Sequence, residues 1–210
     1  NLQMNGKQEM GTIIFVNNRM CVECISFCTK MCHNVRKRTG RKEINNMNKI
    51  YDKVKECYKQ VNEMTEFKPQ IALVLGSGLG DYAEKIKIET VIDYHEIKGF
   101  PVSTVQGHKG RFVLGYVEDI PVMIMEGRVH YYEGYSMSDV VLPIRLMKMM
   151  GAEILFLTNA SGGIHRGFEA GDFMMITDQI ASFVPSPLIG PNIEEFGERF
   201  PDMSHIYDEE

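Results

Sequence analysis

From residue 47 onward the chain alternates between two hydrophobic rhythms. Ile50, Val54, Cys57, Val61 and Met64 recur at helical spacing, which predicts an amphipathic helix over 47–66. Lys68-Pro69 stops it, because proline disfavours helical geometry in the residue before it. Ile71-Ala72-Leu73-Val74-Leu75 is then apolar without a break, as in a strand buried on both faces, and glycines end it abruptly. Similar short runs predict strands near 88–93, 111–117, 121–126, 153–158 and 173–177. Residues 138–150 read as a helix, with Gly151 as its stop and Pro143 as a kink or a first-turn residue. Strands alternating with helices predict an α/β domain with a largely buried sheet.

Residues 1–46 follow no such rhythm. They hold four of the five cysteines and the basic residues Arg36-Lys37-Arg38, Arg41 and Lys42. Gly11-Thr12-Ile13-Ile14-Phe15-Val16 is too short to span a bilayer, which takes about 18 apolar residues, and no signal peptide is read there. Cys21, Cys24, Cys28 and Cys32 lie within twelve residues, followed by His33. Zinc sites pair two close couples across a longer loop so that four ligands converge. On one helix these four cysteines would be strung too far apart to share a metal, and the end of the run is not a haem-attachment pattern. The expectation is an unassigned extension over 1–46, disordered or not native, with a domain over 47–210 and Met47 as a natural beginning.

The net charge of -5 implies no basic face, so nucleic acid is not an expected partner and phosphate chemistry needs a local site. Cysteine is absent after Cys57, which suits a reducing cytoplasm.

Gly127-Arg128-Val129-His130-Tyr131-Tyr132-Glu133-Gly134-Tyr135 follows the apolar run 121–125. If the chain stays extended past Gly127, Arg128, His130 and Tyr132 share one face. Arginine grips phosphate through a fork of donors, imidazole adds another, and a phenol can meet a sugar. A polar, exposed strand end is the alternative. Leu75-Gly76-Ser77-Gly78-Leu79-Gly80 also follows a strand directly. Its amides suit an anion, but it lacks the lysine of a P-loop and the spacing of a dinucleotide fingerprint, and a plain sharp turn reads it equally well. Gln106-Gly107-His108-Lys109-Gly110 and Thr158-Asn159-Ala160-Ser161-Gly162-Gly163 are further small-residue loops, the second again after a strand. In α/β sheets ligands gather at that end.

In order and spacing, Gly76-Ser77-Gly78-Leu79-Gly80, Gly107-His108, Gly127 to Tyr135 and Thr158-Asn159-Ala160-x-Gly162-Gly163 resemble the trimeric purine nucleoside phosphorylases. Phe183 to Asn192 is similar to the loop of bacterial members, and Phe196 to Ser204 continues the likeness, which covers roughly 48–210. The family usually has alanine where Ser161 stands. The resemblance implies a single α/β domain with a central mixed β-sheet flanked by helices, a cytoplasmic homotrimer and no metal or organic cofactor. It implies phosphorolysis of purine ribo- or deoxyribonucleosides, with inosine and guanosine as the expected substrates and inorganic phosphate as co-substrate. Ser77, His108, Arg128, His130 and the amide of Ala160 would hold phosphate, with Arg128 and His130 catalytic. Tyr132 would pack on the ribose, and Asn159 and Glu133 would support the site, Glu133 by orienting His130. The purine-contacting groups of the family belong to a later segment, and about a quarter of the domain is expected beyond residue 210. Methylthioadenosine phosphorylase is the alternative within the fold. A cysteine-rich metal module beside a dead remnant, and a non-catalytic nucleoside binder, are the alternatives outside it.

Overall fold

The computed structural model describes residues 11–17, 41–76, 78–104, 109–180, 184–204 and 206–207. Seven strands form one mixed sheet: β1 (Gly11–Asn17), β2 (Ile71–Leu75), β3 (Lys87–Asp93), β4 (Arg111–Val117), β5 (Ile120–Glu126), β6 (Ile154–Ser161) and β7 (Phe173–Met175). Their order is β3-β4-β5-β2-β6-β1-β7. β2 lies parallel to both β5 and β6, with Leu73 opposite Ile124 on one side and Phe156 on the other. β3, β4 and β5 form an antiparallel meander. A register shift between Ile88 and Thr90 lets Gly115 face the irregularity, where any Cβ would fall 2.3 Å from the Lys87 carbonyl oxygen.

Helices α1 (Arg41–Met64), α2 (Met137–Val140) and α3 (Leu142–Met149) complete the regular structure of the described residues, with short 3-10 turns. Val54, Cys57 and Val61 of α1 are fully buried, as their spacing predicts. They pack with Leu142, Leu146 and Met147 of α3 against Ala72, Val74, Phe112, Leu114, Met123 and Met125 of the sheet. The expected helix over 138–150 is two helices. The Ser136 hydroxyl accepts from the Asp139 amide at the start of α2, and Pro143 sits in the first turn of α3, where its missing N–H costs nothing.

The other sheet face carries the alternate residues. Leu75, Val113, Val122 and Ile124 are buried there with Ala83 from the 3-10 turn Gly80–Glu84. No α-helix among the described residues covers it, and an apolar groove of about 420 Å³ runs along Ile71, Leu73, Leu75, Val122, Phe156 and Phe173. The α/β architecture with a mixed sheet is therefore as expected, with one face helix-covered and the other partly open.

Three boundaries differ from expectation. β6 runs on to Ser161 instead of ending near 158, because β1 pairs antiparallel along it and extends its ladder, with Gly11 opposite Ser161 and Asn17 opposite Leu155. Gly11–Asn17 thus lies inside the sheet. The first helix starts at Arg41, so residue 47 marks no structural edge. Cys21, Cys24, Cys28 and Cys32 lie outside the described residues, as do Ser77 and His108.

Candidate active site at the strand ends

β2 and β5 end side by side, with Leu75 opposite Glu126, and β6 passes the end of β2 on its other flank. This is the edge at which parallel strands present ligand-binding loops. The last β2–β6 pair is Val74 with Leu157. Beyond it Thr158, buried to 4% exposure, takes over from the ladder. Its hydroxyl donates to the Val74 carbonyl at 3.0 Å and accepts the Gly76 amide at 2.8 Å. Only glycine fits at 76, since a Cβ there would lie 2.7 Å from both the Asn159 Cα and the Thr158 carbonyl oxygen. The chain then turns through Gly78 at φ 85°.

On the β5 side, Gly127 at φ 98° turns the backbone off the sheet. Arg128 reaches back and donates from Nη1 to the Thr158 carbonyl at 2.8 Å. Its Nε donates to His130 Nε2 at 3.1 Å. Guanidinium is only a donor, so Nε2 accepts and the imidazole proton sits on Nδ1. Nδ1 lies 2.9 Å from Glu133 Oε1, which also accepts the His130 amide at 2.7 Å. Burial pushes the Arg128 guanidinium below its ordinary value.

Glu133 is the anchor of the cluster. Its side chain is 2% exposed. Besides His130 it accepts from the Thr104 amide at 2.5 Å, the Thr104 hydroxyl at 2.8 Å and the Ser103 hydroxyl at 3.2 Å. Desolvation pushes its carboxyl up, but the donors of Thr104 and His130 outweigh this and hold it at about 2. It stays ionised and fixes both the His130 tautomer and the approach of the 101–104 segment. Tyr135 adds a second tie, its hydroxyl donating to the Val102 carbonyl at 2.6 Å and accepting the Val102 amide at 3.2 Å.

The backbone does not stay extended past Gly127. His130 is still extended, but Tyr131–Glu133 is a 3-10 turn closed by Gly134 at φ 91°. The cause is Glu133 itself, whose carboxylate folds back onto the His130 amide. Arg128, His130 and Tyr132 nevertheless come together: the rings of His130 and Tyr132 stack at 4.8 Å and 22°, and Tyr132 is 74% exposed, presenting its face outward. Asn159 and Ala160, expected in a turn, are half-buried strand residues opposite Ile13 and Thr12. A further ion cluster steadies the segment leaving 105–108. Glu126, 3% exposed, takes Arg111 Nε at 2.7 Å and Lys109 Nζ at 3.0 Å, and Glu84 pairs with Lys109 from the outside.

Sequence reasoning gave no role of their own to Thr158, Thr104, Ser103 and Tyr135. A threonine closing an otherwise apolar strand was the available signal, since a buried hydroxyl must find partners. Among the described residues, no group of three or more His, Cys, Asp or Glu side chains is placed to hold a metal. No helix among them is long and apolar enough to cross a membrane.

Residues 70–210 match the family described as the phosphorylase superfamily. The chain is 48% identical over 159 residues to purine nucleoside phosphorylase 1 of Bacillus subtilis, covering 76% of this chain and 59% of that protein. It is 46% identical over 161 residues to the Mus musculus purine nucleoside phosphorylase, covering 75% and 56%. The chain therefore spans less than two thirds of these relatives. Among solved structures, the Schistosoma purine nucleoside phosphorylase in complex with hypoxanthine superimposes with a TM-score of 0.67 at 39% identity, covering 75% of this chain and 56% of that one. A purine nucleoside phosphorylase in complex with ribose-1-phosphate gives 0.66 at 40% identity, covering 73% and 57%.

Proposed function

The chain belongs to the phosphorylase superfamily, and on that premise we propose that the protein carries out phosphorolysis of purine ribo- and deoxyribonucleosides. Inosine and guanosine are the proposed substrates, and the products are the free purine and the sugar 1-phosphate. The reaction serves purine salvage, needs no metal or organic cofactor, and is carried out by a cytoplasmic homotrimer. The supporting observation is the Arg128–His130–Glu133 chain of hydrogen bonds, set against the glycine turn by Thr158.

In this reading phosphate lies between the Gly76–Gly80 turn, Arg128, His130 and the end of β6. Arg128, Ser77, His108 and the Ala160 amide supply the donors, and His130, engaged at Glu133 and Arg128, lines the site and holds the guanidinium in place. Asn159 supports the end of β6. A phosphate oxygen attacks C1′ of the nucleoside, the C1′–N9 bond breaks, and its electron pair leaves with the purine, which takes up a proton. Positive charge builds on the sugar as the bond breaks, and the held phosphate is both its counter-ion and its nucleophile. Arg128 orients the anion, and charge-assisted bonds of this kind contribute about 1.5–3 kcal/mol each. Glu133 keeps His130 in one tautomer and one orientation, as carboxylates do for functional histidines. The exposed face of Tyr132 packs on the ribose.

The test is a chimera in which the C-terminal portion of the Bacillus subtilis relative is joined to residues 1–210. It should release hypoxanthine from inosine only when phosphate is present. Arg128→Ala in that chimera should slow the reaction by about 10²–10³, the usual cost of one preorganised donor. Near-normal turnover by the variant would remove Arg128 from the phosphate site. The 210-residue chain alone is expected to be inactive, and phosphate-dependent hypoxanthine release by it would overturn that expectation.

A further inference from the structure

We propose that Thr158 is a positioning residue for the anion: one residue holds both the glycine turn after β2 and the guanidinium of Arg128, and so sets the distance between them. The proposal rests on the phosphate site proposed above and adds a part to it. The observations are geometric. The β2–β6 ladder stops at Val74–Leu157, and the next step on the β6 side is a hydroxyl rather than another main-chain pair. That hydroxyl binds β2 twice, at the Val74 carbonyl and the Gly76 amide, so it fixes where the turn leaves the sheet. The carbonyl of the same residue receives Arg128 Nη1. Two donor-bearing segments, far apart in sequence and arriving on different strands, are thus referenced to a single buried point.

The packing leaves little slack. Gly76 already lies so close to Thr158 and Asn159 that a single added carbon would meet backbone at 2.7 Å. If the hydroxyl is lost, the Gly76 amide and the Val74 carbonyl lose a buried partner, and the turn must move outward to reach water. Movement of the turn alters its distance from Arg128, which stays tied to the Thr158 carbonyl. Phosphate, bound by donors from both sides, would then lose contacts on one of them, because anion recognition by converging amides depends on their aim. A role limited to packing would depend on the volume of the side chain. A positioning role depends on its oxygen.

Valine and serine separate these. Thr158→Val keeps the branched shape and removes the hydroxyl, while Thr158→Ser keeps the hydroxyl and removes the methyl. Inorganic phosphate binding is read by calorimetry or 31P resonance on the 210-residue chain, with far-UV circular dichroism to show that each variant is folded. Thr158→Val should weaken phosphate on the order of tenfold or more, and Thr158→Ser should stay within about threefold of wild type. The Gly76 amide should exchange faster in Thr158→Val and remain protected in Thr158→Ser. If Thr158→Val does not fold, Thr158→Ala takes its place with the same expectation. Wild-type phosphate affinity in the folded valine variant would overturn the proposal. So would a serine variant as weak as the valine one, or an unmutated chain that does not bind phosphate. Because no turnover is read, a chimera that binds phosphate but does not cleave inosine would defeat the functional reading alone.

Discussion

The two faces of the sheet are built from the same strands and end in different states. On one face, Ala72, Val74, Phe112, Leu114, Met123 and Met125 disappear beneath α1 and α3. On the other, Leu73 and Ile71 remain half-buried beside an open apolar groove. The alternation that assigns residues to faces is equally clean on both. What differs, among the described residues, is whether a helix covers them. A period of two therefore specifies which side a residue occupies, and the amount of stabilisation it contributes depends on a partner supplied from elsewhere.

Substitutions can weigh one face against the other. The largest loss is expected from Phe112→Ala on the covered face, where the ring is fully buried against Tyr94 and Phe100 at centroid distances of 4.9 and 5.4 Å. About 3–5 kcal/mol should be lost in denaturant unfolding. A loss below 1 kcal/mol would mean that this face is not the stabilising one. Gly76→Ala, at the strand end where both faces stop, should cost about 1–3 kcal/mol as β2 is forced from β6, and should weaken phosphate binding as well. Stability like that of the unmutated chain would show that the close approach to Thr158 and Asn159 is not real. Leu73→Ala on the open face should cost about 1 kcal/mol or less, and should lower binding of a hydrophobic dye. A cost equal to that of Phe112→Ala would mean the groove is closed in solution.

The smallest effect is local and set by pH. Glu133 is held at about 2 in the folded chain, below an ordinary carboxyl at 4.5. A depressed value means that its bonds to Thr104 and His130 contribute fully above pH 4.5 and are lost as pH falls through about 2. The Thr104 amide resonance should therefore titrate with a midpoint near 2 while the helix-covered face stays ordered. A midpoint near 4.5 would show that the carboxylate is not held.

Much of this architecture was legible because it is local. The boundaries of β2 and β4 are those that the apolar runs predict, since Lys68-Pro69 and the glycines around 76 and 110 bracket them with breakers. The spacing of Val54, Cys57 and Val61 likewise located the buried stripe of α1. The misreadings came where a strand pairing or a side-chain bond decides. β6 is longer than its apolar run because β1 pairs along it. The 127–135 segment bends because Glu133 folds back onto the His130 amide, and a pattern of alternating side chains carries no trace of that bond. The Arg128–His130 contact was anticipated as a shared face and is instead a direct hydrogen bond. Thr158 was quoted only as part of a motif, because its importance lies in Val74, Gly76 and Arg128, none of them nearby in the chain.

That separation has a consequence for how the molecule assembles. The β3–β4–β5 meander joins neighbours in sequence, and a tight hairpin such as β4–β5 forms within microseconds. The Thr158 bonds to Gly76 and Val74 close loops of 82 and 84 residues, and non-local pairings of this length come late and slowly. The meander can thus exist well before the pocket does. Acquisition of anion affinity during refolding would then serve as a clock for the arrival of β6 beside β2.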